Sequence, residues 1–371
     1  MQCKHFGSCG SCSIYDQGYD GQLLQKRDMV KSLLSPFFDK ELEIFESADA
    51  HYRARSEFRI WHDGDICHYA MGNASKDGYI TIEECPKVSV HIADIMWILL
   101  DKINSSKALK NRLFAVEFLS TTTNDILVSL IYHRRLDDEW TQTAAKLEKE
   151  LNISIIGRSR KQKIVTSKEF VNEELTIDNT NYKYRQFEIG FTQPNPAVNV
   201  KMIEWVRFQI KDDMRADLME SYCGLGNFTI PLSNLFTKVL ATEISKSSIK
   251  AAKINCELNG VDNIEFVRLS SEEMVQALKK ERDFRRLSHV ELDQYSFSHV
   301  LVDPPRAGLD SDTIELITNI DNIIYISCNP ETLARDLKIL SHSHRVDSAA
   351  IFDQFPYTSH IESGVILRRI R

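Results

Sequence analysis

The sequence has no long apolar run, no excess of positive charge, no internal repeat and no low-complexity linker. Without about 18 consecutive apolar residues it cannot form a transmembrane helix, and its first residues lack the apolar core of a signal peptide. We therefore expect a cytoplasmic protein. The net charge of −7 disfavours a general polyanion binder. A complete G-x-G-x-x-G fingerprint is also missing, which disfavours a dinucleotide cofactor.

The spacing of apolar residues changes near residue 185, which divides the chain into two parts. From about 42 to 185 short alternating strands predominate, with predicted helices near 90–104 and 137–151. After residue 200, seven apolar strands alternate with helices, which is typical of a doubly wound sheet whose ligands bind at the strands' carboxyl ends. We therefore predict a cysteine-rich segment and helix over 1–40, an antiparallel, β-rich α+β domain over 41–185, and an α/β domain over 186–371.

Positive charge is concentrated in the first half of the chain. A polyanion needs only a local basic face, and aromatic residues that alternate with the basic ones can stack bases. We therefore interpret the β-rich domain as RNA-binding, although any one cluster is equally compatible with a solvated strand face. The clusters are Arg53, Arg55 and Arg59; Lys107, Lys110 and Arg112; His133 to Arg135; and Arg158, Arg160, Lys161 and Lys163.

A cysteine and two carboxylates stand at positions suited to covalent catalysis. Cys328 ends an apolar run in YISCNPETL, ahead of a predicted helix, and Asp303 ends another in SHVLVDPPRAGLD. Glu362 follows near the C-terminus. A thiol at a strand tip can act as nucleophile and a carboxylate can remove a proton. The alternative for Cys328 is a buried structural cysteine.

A glycine-containing turn that could bind a cofactor follows the first predicted strand of the α/β domain. Gly224 and Gly226 in ESYCGLGNF would let the backbone approach a ligand closely before a helix begins. Glu243, at the end of the next strand, is placed to bind ribose hydroxyls. With the pyrophosphate fingerprint missing, a nucleoside cofactor without phosphates, S-adenosylmethionine, fits best.

Six motifs together resemble those of one family, the RNA uracil-5-methyltransferases, and most closely its bacterial tRNA branch. They are FTQPN, ESYCGLGNF, LATEI, VDPPRAGLD, YISCNPETL and FDQFPYTSHIESGV, and the likeness covers nearly everything after about residue 50. It implies a Rossmann-like class I methyltransferase domain, with Cys328 as nucleophile and Glu362 as base. It also implies that S-adenosylmethionine is bound by Gln193, Tyr222, Asn227, Glu243 and Asp303.

The implied reaction needs these residue types. Carbon 5 of uracil is too weak a nucleophile to attack a methylsulfonium unaided, so a thiolate first adds to carbon 6. After methyl transfer, the proton on carbon 5 must be removed before the thiolate leaves. We expect the helix that begins at Pro330 and Glu331 to favour the Cys328 thiolate. His360 is the second candidate for the base.

Two further residues are candidates for substrate contacts. Enzymes that methylate exocyclic amines carry an aromatic residue after Pro-Pro, whereas this chain has Arg306, which suits a uracil carbonyl or an enolate oxygen. The target nucleotide must rotate out of its stack, because the reacting atom lies within the base plane. Phe114 matches a base-stacking aromatic of the tRNA branch, with a core phenylalanine as the alternative.

The N-terminus departs from the tRNA branch. Cys3, Cys9 and Cys12 have iron–sulfur or zinc spacing. A fourth ligand is required, for which Cys85, followed by proline after a predicted strand, is the first candidate and Cys67 the second. Ribosomal-RNA members of the same superfamily carry such a set around [4Fe–4S], so the resemblance favours that cluster over zinc. We expect it to be structural.

Two RNA substrates therefore compete. The likeness in the RNA-facing half favours the T-loop uridine of tRNA, at position 54 in the T-arm. The cysteine set points instead to a uridine in 23S ribosomal RNA, although the extra N-terminal β-barrel of the ribosomal-RNA enzymes is missing. A non-catalytic RNA-binding or iron–sulfur protein is the third hypothesis, disfavoured because such a protein would not need Cys328, Glu362 and Asp303 together.

Overall fold

The structure, a computed structural model, describes residues 1–211 and 216–370, so residues 212–215 and 371 of the predicted α/β domain lie outside it. The helices are α1 (Gly18–Leu34), α2 (Val90–Asn104), α3 (Lys107–Lys110), α4 (Asp138–Leu151), α5 (Pro196–Ile210), α6 (Thr229–Leu232), α7 (Lys246–Leu258), α8 (Ser271–Leu278), α9 (Ser311–Ile317) and α10 (Pro330–Leu340). Short 3-10 turns lie at Ser233–Leu235, Arg285–Leu287 and Leu292–Gln294.

The strands fall into an N-terminal group and a C-terminal group. The first group is β1 (Glu43–Phe45), β2 (Arg55–Asp63), β3 (Ile66–Gly72), β4 (Tyr79–Thr81), β5 (Leu113–Ser120), β6 (Ile126–Tyr132), β7 (Ser154–Ser159), β8 (Gln162–Val165), β9 (Phe170–Ile177) and β10 (Thr180–Phe187). The second group is β11 (Asp217–Ser221), β12 (Val239–Thr242), β13 (Ile264–Val267), β14 (Phe297–Val302), β15 (Asn322–Ser327), β16 (His344–Phe352) and β17 (Glu362–Arg369).

Eight strands form the larger sheet, in the order β1-β16-β17-β15-β14-β11-β12-β13. Neighbouring strands are parallel except for β17, which runs antiparallel to both β15 and β16. The chain moves outward from β11 through β12 to β13, then returns to β14 on the other side of β11. This reversal opens a crevice at the carboxyl ends of β11 and β14. The predicted doubly wound α/β fold is confirmed.

Apolar residues on both faces of this sheet explain its position inside the domain. Successive residues of β11 point to opposite faces, so that Leu218 and Met219 belong to two different apolar clusters. Leu333 and Leu337 of α10 pack on the face of Met219, whereas Trp205 of α5 packs on the face of Leu218. Coverage of both faces is what a largely parallel sheet requires.

A seven-stranded sheet, in the order β4-β3-β2-β5-β6-β7-β8, forms the β-rich domain. Its core contains Met96 of α2, Trp140 of α4 and Phe118 of β5. The predicted antiparallel arrangement holds for every pair except β6 and β7, which are parallel. These two are parallel because α4 carries the chain back across the sheet before β7 begins.

The segment before the β-rich domain packs with the eight-stranded sheet. Glu43 to Phe45 of β1 pair in parallel with Ala350 to Phe352 of β16. Helix α1 contributes Val30 and Leu34 to the apolar cluster that also contains α10. The β9–β10 hairpin forms its own two-stranded sheet beside α5 and α7. The boundaries predicted at residues 40 and 185 stay predictions.

None of the helices described between residues 1 and 370 combines the length and the apolarity needed to cross a membrane.

Candidate active site and cysteine site

The pairing of β15 with β17 brings the predicted nucleophile and base together. Ser327 pairs with Ser363 in antiparallel register. Cys328, the first residue after β15, therefore comes opposite Glu362, the first residue of β17. The side chain of Cys328 is half-buried, whereas that of Glu362 is 4% exposed. Two residues 34 positions apart in the sequence thus face one space at the carboxyl end of β15.

Asp303 and Arg306 add charge beside this pair. Burial raises the pKa of Asp303 to about 7. Burial is also the main reason why the pKa of the Cys328 thiol rises to about 11, with the Glu362 and Asp303 carboxyls adding to the rise and Arg306 opposing it. Burial and the two carboxyls thus disfavour the thiolate, while the expected contribution of the α10 N-terminus stays a prediction.

Glu362 stands in a site where one of its oxygens has nothing to bind. Burial, and then the charge of Asp303, raise the pKa of Glu362 well above its ordinary value, against the opposing effect of Arg306. Its Oε2 is buried and has no hydrogen-bond partner among the described residues. A buried oxygen without a partner is unfavourable unless a substrate or water completes it. This carboxyl is therefore placed to receive a group from outside the chain.

His360 is arranged differently from Glu362. It is exposed, and Arg306 Nη2 lies 3.2 Å from its ring nitrogens. Partial burial and then the charge of Arg306 lower its pKa. Asn329 Nδ2 donates to the Arg306 carbonyl at 3.1 Å, which ties the Pro-Pro turn to the start of α10. Arg306 and His360 thus form the exposed rim of the site.

A cleft at the carboxyl edge of the sheet collects most of the predicted cofactor residues. Strand register explains this, because Ser221 of β11 pairs with both Thr242 of β12 and Val302 of β14. The residues that follow these three positions are Tyr222, Glu243 and Asp303, and they stand at one level. The cleft is lined by four of the five predicted cofactor residues, Gln193, Tyr222, Asn227 and Asp303.

Glu243 holds the turn that faces this cleft. Its two carboxylate oxygens accept hydrogen bonds from Gly224 N at 3.2 Å and Ser245 N at 2.7 Å. Gly226 has a φ of +87° and its absent Cβ would lie 3.0 Å from Ile230, so a side chain there would be strained. Tyr222 adopts a left-handed φ of +64°, and its hydroxyl lies 2.8 Å from Ser271 Oγ.

Three residues of the cleft and its surroundings were not predicted. Asn199 of α5 exchanges two amide hydrogen bonds with Asn227, at 2.8 and 2.9 Å. Gln354 Nε2 donates to Gln193 Oε1 at 3.3 Å. Glu220 lines the cleft with a pKa that burial raises to about 8, against the opposing effect of a hydrogen bond with the Thr229 hydroxyl. Glu220 opens the ESYCGLGNF motif, so its position was a signal that could have identified it.

The four cysteines predicted as ligands line one small cavity: Cys3, Cys9, Cys12 and Cys85. Gly10 permits this approach of the N-terminal segment, because its N–H donates to the Gly72 carbonyl and a Cβ there would lie 2.5 Å from the Asn73 oxygen. Within residues 1–211 and 216–370, however, no three His, Cys, Asp or Glu side chains stand in an arrangement that could hold a metal ion. The cavity gathers the thiols without the geometry of a bound ion.

Cys67, the second candidate for the fourth ligand, does not line this cavity. It is 1% exposed in the core of the β-rich domain. Asn104 bonds both its backbone N–H and its carbonyl, at 2.7 and 3.0 Å. The positions of the two side chains therefore favour Cys85 over Cys67 as the fourth ligand.

Phe114 lies in a stack with His133 and Arg59 on the β-rich domain. The Arg59 guanidinium is 3.6 Å from the Phe114 ring centroid, and the His133 ring stacks at 4.1 Å. Phe114 is half-buried and His133 is exposed. The stack borders a basic groove of about 930 Å³ that is also lined by Arg134, Arg135, Arg158, Arg160 and Lys161.

Some of the basic residues predicted to face RNA instead join the two domains. Arg55 donates to Glu117 at 2.8 Å and to the Glu188 carbonyl at 2.7 Å. Arg158 and Lys163 both pair with the buried Glu188 carboxylate. Arg135, Arg160 and Lys161 are exposed. The basic surface is therefore narrower than the sequence clusters indicated.

The chain is similar to known proteins along its whole length. Residues 18–370 match the model of the tRNA (Uracil-5-)-methyltransferase family. Proteins named tRNA/tmRNA (uracil-C(5))-methyltransferase include one from Sulfurovum sp., 62% identical with all of both chains covered, and one from Neisseria meningitidis, 49% identical over 95% of this chain and 98% of its own. Among solved structures, the Pyrococcus abyssi tRNA (uracil-54, C5)-methyltransferase in complex with S-adenosyl-L-homocysteine superposes with a TM-score of 0.73 at 25% identity, covering 94% of this chain and 83% of its own.

Proposed function

This chain belongs to the tRNA (uracil-5-)-methyltransferase family, and we propose that it methylates carbon 5 of the T-loop uridine at position 54 of tRNA. The observation that carries this proposal is the strand register that sets Cys328 opposite Glu362, beside Asp303 of the cofactor cleft. The Pyrococcus abyssi relative is named for the same nucleotide.

The cleft fits S-adenosylmethionine, which supplies an electrophilic methyl group when bound. Gly224 lines the cleft with open space where a Cβ would stand, so a ligand can approach its backbone, and Tyr222 has a left-handed φ at the start of the same turn. Gln193, Tyr222, Asn227 and Asp303 line the cleft, and Glu243 shapes its Gly224 turn. We propose that these five residues hold the cofactor.

Cys328 and Glu362 divide the covalent chemistry between them. The half-buried Cys328 thiol loses its proton to solvent, and the resulting thiolate adds to carbon 6 of the flipped uracil, which places negative charge on carbon 5 and on the adjacent carbonyl oxygen. Arg306 is the cation placed to attract that oxygen charge. Once carbon 5 is methylated, Glu362 takes its proton, and the electrons of that C–H bond restore the ring double bond as the thiolate leaves. Burial makes the ionised form of Glu362 a stronger base than a solvated carboxylate.

Two substitutions separate the proposed roles. Cys328→Ala should abolish 5-methyluridine formation and leave tRNA binding within about threefold, because no adduct can form. Glu362→Gln should permit methyl transfer yet trap the RNA as a covalent adduct, visible on a denaturing gel. Cys256→Ala, which removes a buried thiol outside the site, serves as control. Release of methylated tRNA by Glu362→Gln at the wild-type rate would remove Glu362 from the role of base.

The substrate is tested with three RNAs. We expect 5-methyluridine in unmodified tRNA, and none in the same tRNA with cytidine at position 54 or in a 23S ribosomal RNA fragment. Product in the ribosomal fragment alone would instead support the substrate indicated by the cysteine set. Product in none of the three would return the protein to the class of RNA-binding proteins.

We further propose that Cys3, Cys9, Cys12 and Cys85 hold a [4Fe–4S] cluster, with zinc as the alternative. The shared cavity supports this, and four thiolates suit either metal centre. A cluster there would be structural, because the cavity lies between the N-terminal segment and the β-rich domain and not beside Cys328.

Metal content and colour decide this point without an activity assay. Anaerobically purified protein should be brown and contain about four iron atoms per chain, the number that such a cluster requires. Cys85→Ser should bleach it, whereas Cys67→Ser should leave the colour unchanged. A colourless wild type that contains zinc would contradict the cluster, and one without any metal would contradict the site.

The aromatic stack and its groove are proposed as the surface that receives the T-arm, within an RNA-binding domain over residues 41–185. Phe114→Ala should raise the KM for tRNA roughly tenfold or more, because base stacking contributes about 1–3 kcal/mol per base. Cofactor binding, measured by calorimetry, should not change. An unchanged KM would place Phe114 in the core role that is its alternative.

A further inference from the structure

Helix α1 contacts the loop that carries Glu362. This loop, residues 353–361, joins β16 to β17 and ends immediately before Glu362. Lys26 of α1 forms an ion pair with Asp353 at 2.6 Å, and the two side chains are 1% and 0% exposed. Gln22, one turn earlier, donates to the other Asp353 oxygen at 2.7 Å. Both oxygens of this buried carboxylate are thus bound by α1.

Lys26 and Gln22 also form hydrogen bonds with the backbone of the loop. Lys26 Nζ also donates to the Phe355 carbonyl at 2.9 Å, and Tyr357 N donates to Gln22 Oε1 at 3.3 Å. Tyr357 adopts a left-handed φ of +63°, a conformation that costs free energy in a residue other than glycine and persists only where its surroundings hold it. Helix α1 therefore binds every second residue of the loop from Asp353 to Tyr357.

Both ends of this loop meet the proposed chemistry. At its start, Gln354 accepts a hydrogen bond from Asn195 N at 3.1 Å and donates to Gln193 at 3.3 Å, beside the cofactor cleft. At its end stands Glu362. We propose that Lys26 and Asp353 are positioning residues for proton removal, because their ion pair sets the loop in the one arrangement that aims Glu362 at carbon 5 of the bound uracil.

The burial of this pair supports a role beyond stability. A buried ion pair stabilises a fold no better than an apolar pair of similar volume, since removing two charges from water offsets their attraction. Its directional contacts do specify one geometry, which an apolar pair would not. The inference rests on the proposed role of Glu362 as base, and the experiment separates the two.

The test compares two double substitutions in helix α1 ion pairs. Lys26→Met with Asp353→Leu removes both buried charges at similar volume, so that no unpaired charge remains. Lys31→Met with Glu41→Leu removes the exposed pair of the same helix, whose atoms are 2.8 Å apart, and serves as matched control. Each protein is mixed with unmodified tRNA and S-adenosylmethionine in a single turnover. Methyl transfer and release of free methylated tRNA are timed separately.

We expect the buried-pair variant to transfer the methyl group within about threefold of the wild-type rate. Release should slow tenfold or more, so that the covalent adduct accumulates, while the control behaves as wild type. A merely structural role would slow both steps or neither. If the double variant does not unfold cooperatively, it is not properly folded and cannot be compared with the wild type. Asp353→Asn, which keeps the side-chain shape, then replaces it in the same measurement.

Glu362→Gln is measured in parallel. If it traps the adduct and the buried-pair variant does not, the inference about Lys26 and Asp353 is overturned while the proposed function stands. If Glu362→Gln also releases product normally, the assignment of the base itself is overturned. Accumulation in both proteins, and not in the control, supports both.

Discussion

At the scale of single residues, Glu362 combines chemical utility with a cost to the fold. Its carboxyl is 4% exposed, and one oxygen has no partner among the described residues. An ionised carboxylate in such a place destabilises the native state, which is why its pKa is raised. Sites of this kind are where function and stability oppose each other.

Glu362→Gln is therefore expected to stabilise the protein at alkaline pH. Below the ordinary pKa of a glutamate both states are protonated, so the two proteins should differ little. Above this pKa, Glu362 ionises in the unfolded chain but stays protonated in the folded protein. The free energy of unfolding of the wild type therefore falls by up to about 1.4 kcal/mol per pH unit until the pH reaches the folded-state pKa. Thermal unfolding should show a small Tm gain at pH 4.5 and a much larger one at pH 8. An equal gain at both would contradict the raised pKa.

Reactive residues that directly follow an apolar strand could be predicted from the sequence. Residues whose role depends on a partner far away in the sequence could not. Cys328 and Asp303 each end an apolar run, which the sequence displays directly. Lys26, by contrast, looks like any lysine of an amphipathic helix, since its partner is Asp353, on a loop at the other end of the chain. The raised pKa of Cys328 was missed for the same reason, because two of its causes come from other strands.

At the scale of elements, the approach of α5 to β17 depends on one glycine. A Cβ at Gly364 would lie 2.7 Å from Trp205 and 3.2 Å from Phe352, both of them buried rings. Gly364 stands two residues after Glu362 on the same strand. The distance between helix and sheet at this point is therefore coupled to the position of the candidate base.

Gly364→Ala should destabilise the protein by about 1–3 kcal/mol, the usual cost of overpacking a filled core. Urea unfolding measures this, and Gly72→Ala is a suitable control, because a Cβ at this β3 glycine would meet nothing within 4 Å. A Gly364→Ala protein as stable as wild type would show that α5 moves freely away from the sheet.

Periodicity predicted long elements well and short or exposed ones poorly. Each of the seven strands predicted after residue 200 is present, as are the helices α2, α4, α7 and α10. Strand β1 was missed because its three residues carry almost no pattern. Helix α5 was missed as well, since it is apolar on most sides and begins at an Asn-Pro that also reads as a turn.

At the scale of the whole molecule, segments from before residue 185 pack against the eight-stranded sheet and its helices. Strand β1 pairs with β16, α1 packs beside α10, and the β9–β10 hairpin lies on α5 and α7. Removal of residues 1–185 would expose the β16 edge and leave the Asp353 carboxylate without Lys26. A buried charge that loses its partner costs about 3–5 kcal/mol.

A chain of residues 186–371 alone should therefore fail to unfold cooperatively. A chain in which residues 18–46 are joined by a flexible linker to 167–371 should regain one cooperative transition, because it restores α1, β1 and the hairpin. Circular dichroism during thermal unfolding compares the two. Cooperative unfolding of residues 186–371 alone would support the boundary predicted from the sequence.

The pairing of β1 with β16 also sets an order of assembly during synthesis. The strands of the seven-stranded sheet are contiguous between residues 55 and 165, so this domain can complete its core as soon as it is made. Glu43 must wait roughly 300 residues for Ala350. The first strand of the eight-stranded sheet therefore waits longest for its neighbour, and the growing chain carries this unpaired strand past a finished domain until β16 has been made.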